Sequence, residues 1–298
     1  METKVDLKEE LGRLSIETKF SPKLLEKDYH LTRILHKISG KGIGNLIFKG
    51  GTCLNKCYLG FYRLSEDLDF VYNQNVADQT KGQIKKILNK LRRELIETLN
   101  ELGLSTNNEL GKGWKMLTSD QDPKIVGLEI TANYNSLIDD SLQAIKLEIS
   151  FRNKLIKSPV MKTIHHEFMD GLGQPILKKD VEIQVIDLSE NFAEKLRALL
   201  TRKNIAIRDI YDIYFILAHN ILKISPEVIG LSLIKINENK KEKFTKKDLM
   251  KFIEDLNSKL SSLNEKEIYS VLKSDQEVDV KNMVQVIIKS FQDNFVLQ

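Results

Sequence analysis

Cysteine is almost absent from this chain of 298 residues. Cys53 and Cys57 lie one helical turn apart, so neither a disulfide framework nor a zinc cage follows from them. Packing inside a helix is their expected role. Histidine is also scarce, and the one adjacent pair, His165-His166, diverges on either a helix or a strand. That argues against a His-based metal site. No apolar run approaches the roughly 20 residues that span a bilayer. The opening Met1-Glu2-Thr3-Lys4-Val5-Asp6 is charged and lacks a signal-peptide core, so a cytoplasmic protein with no membrane partner is expected. A large excess of either charge is missing too. The net charge of +4 demands no polyanionic partner, although a local basic surface is compatible with it. There is no internal repeat and no Pro/Gly-rich linker. What is present, 41% hydrophobic and 30% charged residues, suits a soluble globular protein with one large or two ordinary domains.

The periodicity divides the chain near residue 187. Ser21-Pro22 is an N-cap and N1 pair opening a helix over 21–38, with Leu24, Leu31, Ile34, Leu35 and Ile38 at helical spacing. Leu46-Ile47-Phe48 reads as a short buried strand, 53–60 as a short helix and Leu68 to Tyr72 as a strand. Residues 80–103 form a long amphipathic helix. Strands are expected over 125–134, 143–152 and 181–186. From Leu188 onward the pattern is helical: Leu188 to Lys203, Ile207 to His219, 245–263 and 264–296. The expected fold is α/β in the α+β sense. A small mixed β-sheet core flanked by helices (1–187) is followed by a C-terminal helical bundle (188–298). The one dense basic stretch, Lys240-Lys241-Glu242-Lys243 with Lys246-Lys247, reads as a solvated loop and helix start, with nucleic-acid contact as the alternative.

The most informative stretch is Phe48-Lys49-Gly50-Gly51-Thr52 followed by Arg63-Leu64-Ser65-Glu66-Asp67-Leu68-Asp69-Phe70. It predicts a strand, a Gly-rich turn, a short helix and an Asp-x-Asp strand. Asp67 and Asp69 share one strand face, while Leu68, Phe70 and Tyr72 point the other way. Two like charges so close are costly unless a cation lies between them, and Mg2+ (or Mn2+) prefers carboxylate together with phosphate oxygens. A third carboxylate is expected on a neighbouring strand. Glu148 fits, on the polar face with Lys146 and Ser150; Glu129 competes with the same local pattern. Either glutamate could instead be an ordinary solvent-facing residue. Gly50 and Gly51 permit close backbone approach or positive φ. Thr52 can cap the following helix and donate to a phosphate oxygen. Lys49 and Arg63 add positive charge, although a salt bridge to Glu66 would also account for Arg63. Ser65 joins these as a candidate nucleotide contact. A phosphate cradle followed by metal-binding carboxylates suggests nucleotidyl transfer. A nucleic-acid hydroxyl would attack the α-phosphate of an NTP and release pyrophosphate.

A second constellation lies beyond residue 187. Lys195 and Arg202 share one helix face, and the next helix carries Arg208-Asp209-Ile210-Tyr211-Asp212, in which Arg208 and Asp212 can pair across a turn. A helix–helix salt-bridge network would explain the spacing. The functional reading places Lys195 at the triphosphate or the attacking hydroxyl, with Asp209 and Asp212 orienting it or helping to bind metal.

The ordered set resembles the AbiEii/AbiGii nucleotidyltransferase toxin family, a branch of the DNA polymerase β-like nucleotidyltransferase superfamily. The matching pieces are Glu26-Lys27-Asp28-Tyr29, Phe48-Lys49-Gly50-Gly51-Thr52, Arg63 to Asp69, Ile145-Lys146-Leu147-Glu148-Ile149, Glu194-Lys195-Leu196-Arg197-Ala198-Leu199 and Arg208-Asp209-Ile210-Tyr211-Asp212-Ile213-Tyr214. They span roughly residues 20–220. The resemblance implies a toxin of a toxin–antitoxin or phage-defence operon with a cognate antitoxin encoded alongside. It also implies use of NTP and magnesium and, for some members, nucleotide transfer to tRNA 3′ ends. Those members rely on a lysine matching Lys195 and an aspartate within the Arg208–Asp212 motif, at Asp209 or Asp212. Thr52 replaces the Ser common in the superfamily turn, and Glu148 stands where Asp is usual. Two other readings stay open: a non-catalytic module that binds RNA or a partner protein, and NMP transfer to protein hydroxyls.

Overall fold

The computed structural model describes residues 6–74, 79–118, 124–151, 155–202, 204–238, 242–262 and 266–295. The chain divides into two compact units, Met1–Ile186 and Asp187–Gln298. The first is a mixed sheet with helices; the named elements of the second, among its described residues, are all helices.

In the first unit, α1 (Leu7–Thr18) is capped by Asp6, whose carboxylate accepts from the Lys8 and Glu9 N–H groups. Helix α2 (Pro22–Lys41) starts as expected, with Ser21 accepting from Leu24 N–H and Pro22 in the first turn. It runs past residue 38 because its stop signal is Gly42, which ends it in a left-handed conformation. Strand β1 (Leu46–Lys49) leads straight into a helical segment that begins at Gly50, not at residue 53. This α3 (Gly50–Cys53) continues as a π-helical turn over Leu54–Leu59. Leu54, Asn55, Lys56 and Cys57 are all buried, so the segment has no polar face for periodicity to reveal. Strand β2 (Asp67–Tyr72) follows, then α4 (Lys81–Glu101), opened by a reciprocal Thr80–Gln83 capping box.

The remaining strands are β3 (Ser105–Thr106), β4 (Trp114–Thr118), β5 (Ile125–Asn135), β6 (Leu142–Ser150), β7 (Val160–Thr163) and β8 (Glu182–Val185). The sheet order is β3-β5-β6-β2-β1-β8-β7, with β4 also pairing β5. The β2–β6 and β1–β8 pairs are parallel and the other named pairs antiparallel. Strands β3, β4 and β7 were not expected from the sequence. They are short, and β4 and β7 bury no full face, so alternation is weak in them. The core packs Leu68, Phe70, Ile145, Leu147 and Ile149 from the sheet with Leu31, Ile34 and Leu35 of α2 and Leu88 and Leu95 of α4.

The second unit begins with α5 (Leu188–Thr201), capped by Asp187. It ends two residues before the expected Lys203, which lies outside the described residues. Then come α6 (Ile207–Ala218) and α7 (Pro226–Asn237). Helix α7 was not anticipated, although Ser225-Pro226 repeats the Ser-Pro start of α2. The stretch expected as two helices over 245–296 is more broken. It contains α8 (Lys246–Glu254), a 3-10 segment (Asp255–Ser262), the single turn α9 (Lys266–Tyr269) and α10 (Val280–Phe295). Of the basic stretch, Lys240 and Lys241 lie outside the described residues, while Lys246 and Lys247 open α8 behind the Thr245 cap. No helix among the described residues is long and apolar enough to cross a membrane.

Candidate active site

The first cluster forms where β1 runs out into the Gly-Gly turn beside β2. Gly50 sits at φ +78°, and a Cβ there would collide with the Asp69 carboxylate, whose Cβ and Cγ would each lie 3.1 Å away. A Cβ on Gly51 would stand 2.7 Å from the Arg63 guanidinium and 3.4 Å from Ser65 Oγ. Each glycine therefore admits a neighbouring side chain, Asp69 or Arg63, to the turn, and Gly50 also supplies the left-handed backbone.

Thr52 departs from expectation. The helix N-cap is Lys49, with no side-chain capping bond, so Thr52 is not a cap. Its hydroxyl is buried and donates to the Asp67 carbonyl, tying the turn to β2 instead of facing outward. Arg63 is buried and donates to the Leu64 carbonyl at 2.9 Å. Lys27 reaches Glu66 at 3.1 Å.

Register supplies what the sequence alone could not. Lys49 pairs with Asp69, Asp69 with Glu148, Glu148 with Glu129, and Glu129 with Lys115. Directly opposed residues present side chains on the same sheet face, so these five form one row across five strands. Asp67 lies two positions before Asp69, on the same face and opposite Lys146. The competition between the two glutamates thus becomes geometric. Glu148 stands beside Asp69, whereas Glu129 is one strand further out and bonded to Lys115 at 3.0 Å.

Among the described residues, no three His, Cys, Asp or Glu side chains already converge as a metal cage. The donor set is nevertheless all carboxylate oxygen, the chemistry that suits Mg2+ or Mn2+ when substrate phosphates complete the shell. The turn pressed against Asp69 leaves that carboxylate at the edge of the glycine backbone. By residue type, Asp69 and Glu148 with Asp67 are the side chains that could hold a hard divalent cation. The cysteines stay outside this chemistry: burial, with Cys57 as neighbour, holds the Cys53 thiol well above its ordinary pKa.

The Glu26–Tyr29 segment proves to be support. Glu26 is buried and accepts from Ser136 Oγ and Leu137 N–H, each at 2.6 Å. Asp28 holds Lys56 at 2.9 Å with both side chains fully buried, and Asn55 donates to the Arg63 carbonyl at 2.7 Å. This anchors the π-helical turn behind the glycines. The Lys56 pairing gave no sequence signal, because Lys56 is buried along with its neighbours Leu54, Asn55 and Cys57.

In the second unit Lys195 Nζ lies 2.8 Å from Asp209 and 2.8 Å from Asp212. Arg202 joins Asp209 from the other side. Both aspartates thus reach the lysine. Asp212 is wholly buried, while Asp209 is shared with an arginine. Arg208 meets Glu267 at 3.2 Å. The same helix α5 contributes to another network: fully buried Lys235 lies 2.7 Å from Glu190 and 3.4 Å from Glu194, and Arg197 binds Glu238 at 3.1 Å. Glu194 and Arg197, neighbours of Lys195, therefore belong to the helix packing.

The family model described as "Nucleotidyl transferase AbiEii toxin, Type IV TA system" matches residues 40–286. Among curated proteins no sequence is similar enough to match. Among solved structures, the nucleotidyltransferase toxin MenT4 of Mycobacterium tuberculosis H37Rv is 18% identical with a TM-score of 0.61, covering 94% of this chain and 87% of its own. JHP933 from Helicobacter pylori is 15% identical with a TM-score of 0.54, covering 92% of each chain. At such identities the two structures establish a shared fold.

Proposed function

We propose that this chain, which belongs to the AbiEii nucleotidyltransferase toxin family of type IV toxin–antitoxin systems, transfers a nucleoside monophosphate from an NTP to the 3′ end of tRNA in the cytoplasm. Family membership gives a nucleotidyltransferase toxin with NTP as substrate and an antitoxin as partner. The acceptor, the divalent cation and a role in phage defence belong to the proposal.

The observation that carries the reading is the row of Lys49, Asp69 and Glu148 in register beside Gly50, whose missing Cβ leaves room for the Asp69 carboxylate. In this reading Asp67, Asp69 and Glu148 hold Mg2+ or Mn2+, which when bound neutralises charge on the phosphates. The chain's own residues do the positioning. Gly50 and Gly51 let the triphosphate approach the backbone, and Thr52 holds that turn against β2. Lys49, Arg63 and Ser65 supply charge and a hydroxyl around it. Lys195 is the second required cation, oriented by Asp209 and Asp212. As the acceptor hydroxyl gives up its proton to solvent and its oxygen bonds to the α-phosphorus, the bond from that phosphorus to the oxygen shared with the β-phosphate breaks and pyrophosphate leaves with that oxygen. Such a reaction asks mainly for alignment and charge compensation.

The test incubates the purified chain with total RNA, cell protein and each labelled NTP in turn, with Mg2+. Label in the tRNA fraction, absent for a folded Asp69→Asn variant, is the expected result. Label in protein would move the acceptor to protein hydroxyls. No label in any fraction would favour a binding module on a transferase scaffold.

A further inference from the structure

The cross-strand row does not stop at Glu148. It continues through Glu129 to Lys115, so three adjacent carboxylates, Asp69, Glu148 and Glu129, are bracketed by two lysines, Lys49 and Lys115. Side chains directly opposite one another on antiparallel strands have Cβ atoms about 5 Å apart. Like charges at that distance destabilise a sheet unless something compensates. Lys115 meets Glu129 at 3.0 Å, and the two differ sharply in exposure, 54% against 13% for the side chains. The carboxylate is thus held against the sheet while its lysine reaches out to solvent.

We propose that Glu129, pinned by Lys115, is a positioning residue of the cation site. It lies two strands from Asp69, with Glu148 between them, too far to replace Glu148 in the row, and lends negative potential to the ion that Asp69 and Glu148 would hold. Lys115 sets the strength of that contribution by neutralising part of it. This inference rests on the proposed function, since it presumes that the carboxylate face takes a divalent ion.

An ordinary surface ion pair would stabilise the sheet slightly and do nothing else. A charge swap separates the two roles. Lys115→Glu combined with Glu129→Lys keeps an opposed pair on β4 and β5 but puts a cation beside Glu148. The measurement is Mn2+ binding to the full chain, read from the electron paramagnetic resonance of the free ion, alongside melting curves. Screened Coulomb interaction of a unit charge with a divalent ion over one or two strand spacings predicts modest factors. Glu129→Gln should weaken Mn2+ binding by about threefold. Lys115→Met should tighten it by a similar factor, and the swap should weaken it roughly tenfold or more with little change in melting. Wild-type affinity in the folded swap variant would overturn the inference and leave the pair purely structural. Asp69→Asn is the control for the site itself. If it binds Mn2+ as wild type does, or if wild type binds none at millimolar concentration, the metal assignment falls and this inference with it. Loss in Asp69→Asn together with an unchanged swap variant overturns only the role of Glu129.

Discussion

Gly50→Ala tests the site geometry most directly, because Gly42→Ala provides a matched control. Both glycines have positive φ, +78° and +57°, but nothing lies within 4 Å of a Cβ at Gly42, whereas at Gly50 the new atom meets the Asp69 carboxylate. Left-handed backbone costs an L-residue roughly 1–2 kcal/mol. For a unit of this size that lowers Tm by about 2–8 °C, and both variants should show at least this loss. Only Gly50→Ala must also move Asp69, since the new atom meets the carboxylate oxygen and also lies 3.1 Å from the Asp69 Cβ, which the strand holds in place. Displacing a positioned group by about 1 Å can reduce turnover by about 100-fold. The expected outcome is near-normal transfer per folded molecule for Gly42→Ala and a loss of about 100-fold or more for Gly50→Ala, measured with labelled NTP below both melting points. Equal transfer by the two variants would refute the idea that the glycine turn and Asp69 form one unit.

Further outcomes follow from the buried and half-buried charged groups. Lys235→Met leaves Glu190 and Glu194 without their buried lysine; breaking such a network typically costs about 3–5 kcal/mol, so urea unfolding that shifts by less than 1 kcal/mol would argue that the carboxylates take up protons. Burial lowers the His30 and His36 pKa values to about 4 each. The unfolded chain therefore binds more protons below pH ~6.5, so this part of the stability is intact above pH ~6.5 and is lost as pH falls toward about 4. His30→Gln should flatten the Tm profile over that range, and an unchanged profile would remove His30 as a cause. Lys195→Arg should lose most transfer with its melting curve preserved, because the wider guanidinium fork cannot take the place of the ammonium between Asp209 and Asp212; Asp212→Asn should resemble it more closely than Asp209→Asn, since Asp209 is divided between Lys195 and Arg202.

The individual strands of the candidate site were readable in the sequence because each buries one face. Leu68 and Phe70 alternate with Asp67 and Asp69, and Ile145, Leu147 and Ile149 with Lys146 and Glu148. A period of two therefore announces which side chains share a surface. Their register was not readable. Whether Asp69 stands beside Glu148 or Glu129 depends on parallel pairing between strands far apart in the chain, and nothing local encodes it. Polar groups buried within an expected helix, and a helix without one marked apolar face, were also hidden. The π-helical turn at Leu54–Leu59 buries Asn55 and Lys56 along with its apolar residues, and the apolar pattern of α7 is too broad to mark one face.

The two lysine clusters to which α5 contributes, one around its own Lys195 and one around Lys235 of α7, show the limit of spacing more sharply. Lys195 and Glu194 are neighbours in one motif, yet Glu194 turns to Lys235 while Lys195 turns to Asp209 and Asp212. On spacing alone either group could be a structural network. Exposure separates them physically, since the Lys235 side chain is 0% exposed and that of Lys195 13%. A fully buried ammonium surrounded by carboxylates has no route to a phosphate without unpacking the helices. A lysine that keeps some exposure can exchange part of its carboxylate contact for a substrate oxygen at much lower desolvation cost. That difference makes Lys195, and not the better-enclosed Lys235, the ammonium on which a catalytic role should be tested.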